Sequence, residues 1–316
     1  MYAIGVDIGG MRIKVGLVDE NGKIIASTRK PTAKTADICI KETAEQIKEL
    51  LKTNGLKVKD IKGVGIGSPG SVSGKTGIVE YASNLGWNRV DLFEGLKKQG
   101  IDTKMRLSND ANVAALAESV YGAAKGYNSS VMFTLGTGVG GGIIIDHKLF
   151  EGEDTKGTEV GHTTLIYGGE KCPCGRSGCI EAYVSATALI RQTKQKMLEH
   201  KDSKMWEFCG GDIEKASGRT AFECAKQGDK YAIEVRNKYV EYLAESMMNF
   251  MNIFRPNVFI LGGGISGQGQ HLVDLLDDYC NKRYYGFNGT PRVKILCATL
   301  GNDAGIIGAA ALLDQN

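Results

Sequence analysis

DIGGMRIKVGLVD (residues 7–19) and TLGTGVGGGIIID (residues 134–146) share one pattern, in which a glycine-rich turn joins an apolar strand to a second apolar strand that ends in aspartate. Asp7 pairs with Thr134 and Asp19 with Asp146 at the same offset of 127 residues, with no gap between. A glycine turn exposes consecutive backbone N–H groups and has no Cβ to block approach, so it can cradle phosphate oxygens without a basic side chain. Two halves that each open on such a hairpin imply two similar domains facing one cleft, with nucleotide expected between them.

The rest of the chain fits that frame. Its 316 residues are enough for two domains, and 42% hydrophobic content is ordinary for a globular protein. With 39 basic and 36 acidic side chains the net charge is only +3, so nothing points to nucleic acid or to a membrane surface as partner. Met1 runs almost directly into IGVDIGG with no secretory leader, and cytoplasmic residence is expected. The longest apolar run, GIIGAAALL (residues 305–313), is about half of the roughly 20 residues that span a bilayer. Periodicity places helices at 36–54, 110–124, 184–200, 229–254 and 303–314. Strands are expected at 3–8, 12–19, 61–67, 104–108, 130–135, 142–147, 257–261 and 293–298. Glycines, 43 against 5 prolines, collect at the ends of apolar runs, the habit of an α/β protein with tight functional turns.

Two G-x-G-x-x-G spacings occur, in LGTGVGGG (135–142) and GGGISG (262–267). The first continues as strand, and the second lacks the opening βαβ unit, so a dinucleotide-binding fold is disfavoured. SNDANVAALAE (108–118) sets Asn109 and Asp110 where a strand gives way to a helix. Simple N-capping explains such a pair. A carboxylate at a strand's C-terminal end also points into the ligand cleft of an α/β sheet, where it can accept a hydroxyl proton during phosphoryl transfer.

Of eight cysteines, Cys39, Cys209, Cys224, Cys280 and Cys297 are scattered and expected to be reduced and inert. Cys172, Cys174 and Cys179 crowd into CPCGRSGC beside Gly175 and Gly178, ten residues after His162. A redox pair or bystander thiols are the alternatives, but zinc fits best, and four protein ligands make it structural. Metal on one ring nitrogen fixes the other as a donor, and Glu159 shares its side if the segment is helical. With Glu181 close behind, the loop offers carboxylates and an N–H suited to the vicinal hydroxyls of a sugar.

DIGG, GIGSPG (65–70), SNLGW (83–87), NDANVAALAE, LGTGVGGG, EVGH (159–162), CPCGRSGCIE and LGGGIS resemble, in this order, the ROK family of bacterial sugar kinases and repressors, its glucokinases most of all. The resemblance spans nearly the whole chain and implies an α/β, actin-like (ribonuclease H-like) fold of two domains. These would be residues 1–120, joined by a returning C-terminal helix at 301–316, and residues 121–300, which carry the zinc loop. It implies ATP-dependent phosphorylation of a hexose primary hydroxyl, glucose foremost. Kinases for N-acetylmannosamine, N-acetylglucosamine, fructose or allose are the alternatives, followed by a sugar-responsive regulator without its DNA-binding domain.

By the same resemblance Asp110 is the base, and Gly70, Asn84, Asn109, Glu159, His162 and Glu181 bind sugar. Gly9, Gly10, Gly136, Thr137 and Gly138 hold phosphates, and Gly262, Gly263 and Gly264 face the adenosine. Asp7 orients Mg2+ through water. His162, Cys172, Cys174 and Cys179 hold the zinc, and a homodimer is implied. One position departs. Where the family's first phosphate loop has threonine, this chain has Met11 and then Arg12. A thioether donates no hydrogen bond, so weak ATP binding or a substitute donor such as Arg12 is expected.

Overall fold

In the structure, a computed structural model that describes residues 1–285 and 292–315, the opening hairpin is β1 (Ala3–Ile8) and β2 (Arg12–Val18). Its apolar residues Ile4, Val6, Ile13, Val15 and Leu17 are buried, while Gly5 and Gly16 face each other across the antiparallel ladder. β3 (Ile24–Pro31) adds an antiparallel edge whose exposed positions alternate along the strand. α1 (Ala36–Thr53) follows, with Ile40, Ala44, Ile47 and Leu51 buried at helical spacing, as their periodicity requires.

β4 (Val64–Ser68) then pairs parallel with β1. The small antiparallel sheet β5 (Ser71–Ser73), β6 (Ile78–Ala82) and β7 (Trp87–Asp91) precedes α2 (Leu92–Lys98). β8 (Met105–Asn109) pairs parallel with β4 and leads into α3 (Asp110–Val120). The first large sheet is thus ordered β3-β2-β1-β4-β8.

The second large sheet repeats that order. β9 (Ser130–Leu135), β10 (Val139–Ile145) and β11 (Lys148–Phe150) are followed much later by β12 (Val258–Gly262) and β13 (Lys294–Cys297). The order is β11-β10-β9-β12-β13, with the β12–β13 pair parallel and the β10–β11 pair antiparallel. Between β11 and β12 lie α4 (Glu181–Val184), α5 (Ala186–Glu199), α6 (Lys204–Phe208), α7 (Thr220–Lys226) and α8 (Lys230–Phe254). α9 (Gln270–Arg283) joins β12 to β13, and α10 (Ala304–Ala311) closes the chain. The duplication read from the two glycine hairpins therefore extends to whole sheets.

The chain divides into two compact units. One holds Met1–Ser130, Gly142–Thr158 and the stretch from Thr299 onward, and the other holds Val131–Gly141 and Glu159–Ala298. In the first, α10 lies on β1 so tightly that a Cβ on Gly5 would fall 1.9 Å from the Ile306 carbonyl oxygen, and one on Gly65 would fall 1.7 Å from that of Ala309. In the second, Phe133 is fully buried edge-on against Phe250 and Phe259, with ring centroids 5.3 and 4.8 Å away.

Several boundaries differ from the periodicity reading. The helix expected over 184–200 is α5, which starts at Ala186 because Ser185 turns extended and caps it by accepting from the Ala188 N–H at 3.1 Å, while the short α4 ends just ahead at Val184. The strand expected from 142 starts at Val139, since the glycines of the motif are already in the ladder. β3, the β5–β7 sheet, α2, α6, α7, α9 and β11 lie outside the segments that periodicity marks. Most are short, and β3 has a polar, half-exposed face that gives no apolar signal.

Candidate functional site

In the first unit β4 and β8 end side by side, Ser68 opposite Asn109, and so release Gly70 and Asp110 at one edge of the sheet. Asn109 is the N-cap of α3. Its Oδ1 accepts from the Ala111 N–H at 2.9 Å, and its Nδ2 donates to the Gly70 carbonyl at 3.0 Å. The Ala111 N–H is shared with Asp110, whose Oδ1 also accepts from it at 2.9 Å, and Asp110 stands exposed at the first turn, where the helix dipole favours an anion. Gly70 has φ 90°, and a Cβ there would lie 2.1 Å from the Tyr81 carbonyl oxygen, so only glycine fits. Behind this edge the Ser108 hydroxyl donates to Glu151, whose pKa is raised by burial against the pull of that bond and of Arg106.

The first glycine turn is braced by side chains. Gly9 N–H donates to the Arg12 carbonyl at 2.9 Å, and the Thr32 hydroxyl donates to the Gly9 carbonyl at 2.6 Å. Asp7 accepts from Lys14 Nζ at 3.0 Å and packs against Gly305, where a Cβ would meet its Cγ at 2.5 Å. Met11 is 86% exposed. Exposed Asn84 sits over the turn, its Cβ 3.7 Å from where a Cβ on Gly10 would be. Sequence reading missed Lys14, although the register of a tight hairpin puts residues seven apart opposite one another here. Thr32 and Glu151 carry no comparable signal.

In the second unit the equivalent turn is braced by backbone and by the segment that follows the cysteines. Gly136 N–H donates to the Gly138 carbonyl at 3.1 Å, Ala186 N–H to the Gly136 carbonyl at 2.8 Å, and the Thr187 hydroxyl to the Thr137 carbonyl at 2.8 Å. Glu181 Oε2 accepts from the Val139 N–H at 2.9 Å, and a Cβ on Gly138 would fall 2.3 Å from that oxygen. Gly263, with φ 79°, is packed so closely on Leu135 that a Cβ would lie 2.5 Å from its carbonyl oxygen. The 262–264 glycines thus lie beside the strand that leads into the turn.

His162, Cys172, Cys174 and Cys179 come together, their ligand atoms all within 4.8 Å of one another. Cys172 Sγ is 3.7 Å from His162 Nδ1, and Cys174 Sγ is 3.7 Å from Cys179 Sγ. Two sulfurs on a tetrahedral zinc at about 2.3 Å each are separated by roughly 3.8 Å, so the donor set fits that ion. The loop is shaped for it by Gly175 at φ 91° and Gly178 at φ 83°, where a Cβ would strike the Ile166 carbonyl oxygen at 1.8 Å. Burial pushes the Cys172 thiol up to about 12. A bound cation must overcome that resistance to form the thiolate.

Nδ1 faces the thiols, which leaves Nε2 of His162 for a ligand. Glu159 stands at the N-cap position of the 3-10 turn Val160–His162, its carbonyl accepting from the His162 N–H at 3.1 Å, so the helical spacing expected of the pair is present. Although Glu159 is an exposed residue, desolvation of its carboxyl raises its pKa, with His162 lowering it and Glu181 raising it. The three groups share one electrostatic neighbourhood. A separate groove of about 920 Å3, lined by Arg191, Lys196, Glu234, Tyr242 and Asp278, contains none of the expected site residues.

The model of the ROK family matches residues 3–316. The chain is 36% identical over 320 residues to the glucokinase of Thermotoga maritima, covering 99% of this chain and 97% of that protein. It is 28% identical to the xylose repressor of Caldicellulosiruptor bescii, covering 98% of this chain and 77% of the repressor. Among solved structures, a ROK family glucokinase from Streptomyces griseus in complex with glucose and AMPPNP superposes with a TM-score of 0.82 at 32% identity, and all of both chains is covered. The fold is accordingly the actin-like, ribonuclease H-like α/β fold that the hairpins implied.

Proposed function

The chain belongs to the ROK family, and on that basis we propose that it is an ATP-dependent sugar kinase that transfers the γ-phosphoryl group to the primary hydroxyl of a hexose, glucose in the first place. The observation that carries this reading is Asp110, an exposed carboxylate on the first turn of α3, aligned by the Asn109 cap and its bond to Gly70.

Asp110 takes the proton as the sugar hydroxyl attacks in line. Gly70, Asn84, Asn109, Glu159, His162 and Glu181 hold the other hydroxyls. Gly9, Gly10, Gly136, Thr137 and Gly138 border the phosphates, and because the Gly9 and Gly136 N–H groups close the turns themselves, those of Gly10, Thr137 and Gly138 are the donors; Gly262 to Gly264 border the adenosine. Magnesium, when bound through water near Asp7, supplies neutralising charge on the phosphates. His162, Cys172, Cys174 and Cys179 would hold a structural zinc that stiffens the sugar-binding loop. We take the protein to act as a cytoplasmic homodimer, which light scattering on the purified chain checks. Among the described residues no helix is long and apolar enough to cross a membrane.

A coupled ADP-release assay over glucose, mannose, fructose, allose, N-acetylglucosamine and N-acetylmannosamine tests the activity. Glucose should give the highest kcat/KM, and Asp110→Asn should lower kcat by about 100- to 10,000-fold, the usual worth of a general base. Absence of turnover with every hexose, or full activity in that variant, overturns the reading. Metal analysis should find about one zinc per chain, lost in Cys174→Ser together with glucose affinity.

A further inference from the structure

A row of charge crosses the first sheet just below its glycine turn. Asp7 pairs with Lys14 and Lys14 with Arg29 in β1, β2 and β3, so the three side chains leave the same face, and Arg12, two residues before Lys14, joins them. α10 packs on this face at Gly5 and Gly16 through Ile306. At the other end Arg12 and Arg29 are exposed, and Lys14 forms an ion pair with Asp7 on this face. Lys14 is the anchored member. Its Nζ donates to Asp7 Oδ2 and to the Asn302 carbonyl, each at 3.0 Å, and its side chain keeps 30% of its exposure. An ammonium has three donors, and two acceptors use two of them. The second hairpin has Gly141 at the corresponding position and no such cation.

We propose that Lys14 binds the phosphoryl donor's terminal phosphates, a role that rests on the kinase reading above. Held by Asp7 and Asn302, it offers its remaining N–H and its charge to a phosphate oxygen at the first turn, where Met11 has no hydroxyl to give. A lysine already fixed by two acceptors loses little side-chain freedom on binding, so its contribution to affinity is large for one residue. Among the described residues Arg12, the substitute expected from sequence, has no such anchor.

The test compares wild type, Lys14→Met and Lys14→Arg. ADP and AMPPNP binding is measured by calorimetry without sugar, and KM is measured for ATP and glucose separately. Lys14→Met should weaken nucleotide binding and raise the KM for ATP by about tenfold or more, while the KM for glucose stays within about twofold. Lys14→Arg should recover most of the loss. Unchanged nucleotide affinity in Lys14→Met, with a wild type that turns over, overturns the inference alone. So does an equal loss for both substrates accompanied by a fall in Tm, because an Asp7 ion pair that only supports the fold predicts that result. If the wild type binds nucleotide but phosphorylates no hexose, the kinase reading fails and the binding ratio still decides the role of Lys14. A wild type that neither turns over nor binds nucleotide overturns both.

Discussion

The two glycine bends stand at matching points of the two sheets but close differently, Gly9 N–H on the Arg12 carbonyl three residues on and Gly136 N–H on the Gly138 carbonyl two residues on. The first, at Gly9–Gly10, lies among charged side chains and takes its support from Asp7, Lys14 and Thr32. The second, at Gly136–Gly138, is held from α5 by the Ala186 N–H and the Thr187 hydroxyl, and by Glu181. Their strands differ as well. Gly5 and Gly16 clear a path for α10, and the positions 127 residues later are occupied by the buried Met132 and Ile143. A duplicated frame thus keeps the place of its glycine bends and lets each copy find its own closure and bracing.

The largest test of that contrast is Gly5→Ala. Its Cβ would meet backbone at 1.9 Å, which cannot swing aside, so we expect about 3 kcal/mol of destabilisation and a Tm lower by roughly 10 °C in thermal unfolding. Met132→Leu, a nearly volume-conserving change at the matching position, should cost less than about 1.5 kcal/mol. Similar small losses in both would mean that α10 can shift and that the strands are equivalent after all.

Gly138→Ala probes the bracing of the second bend. The obstructing atom is the end of the flexible Glu181 side chain, so the fold should survive while Glu181 leaves the Val139 N–H. We expect kcat/KM to fall by about 10- to 100-fold with a Tm loss of only a few degrees, the scale of one charge-assisted hydrogen bond. Gly10→Ala, whose nearest obstruction is 3.7 Å away, should leave Tm and the KM for glucose unchanged. Matching kinetic losses in the two would show that the bends are braced alike.

Met11→Thr sharpens the comparison from the other side by giving the first bend a hydroxyl. ATP affinity should rise, by up to about tenfold, and measurement of the KM for ATP decides it. The smallest effect is expected from Glu151→Gln. Burial raises the Glu151 pKa in the folded protein, so the stability it contributes is present at acid pH and lost as pH rises through the folded value. The glutamine variant should match wild type or fall slightly below it near pH 4, and exceed it by about 1 °C near pH 8 in the same unfolding scan. A gap that widens toward acid pH instead would reverse the sign and remove the argument.

Much of the fold was legible because its signals are local. Alternation in β1 and β2, the buried ladder Ile40–Ala44–Ile47–Leu51 and the long stripe of α8 each depend on neighbours a few residues away. The cysteine set was legible for the same reason, since short glycine-punctuated spacing limits how far three thiols can separate. The break at Ser185 was not, because the cap that splits α4 from α5 depends on where the chain must turn to reach the Gly136 carbonyl. The β5–β7 sheet was not legible either, as its strands of three to five residues carry too few buried positions to stand out.

The amino-acid sequence by itself determined the pair of glycine hairpins, the α/β class, the cluster of one histidine and three cysteines and the placing of Asp110 at a strand-to-helix junction, all of them properties of short segments. Only the tertiary structure decided that Glu181 reaches the Val139 amide, that α10 lies against Gly5 and that Lys14 is shared between Asp7 and Asn302. Those meetings join residues up to nearly the whole chain apart. Their geometry depends on how every intervening side chain fills space, a sum over the packed core that no local pattern contains.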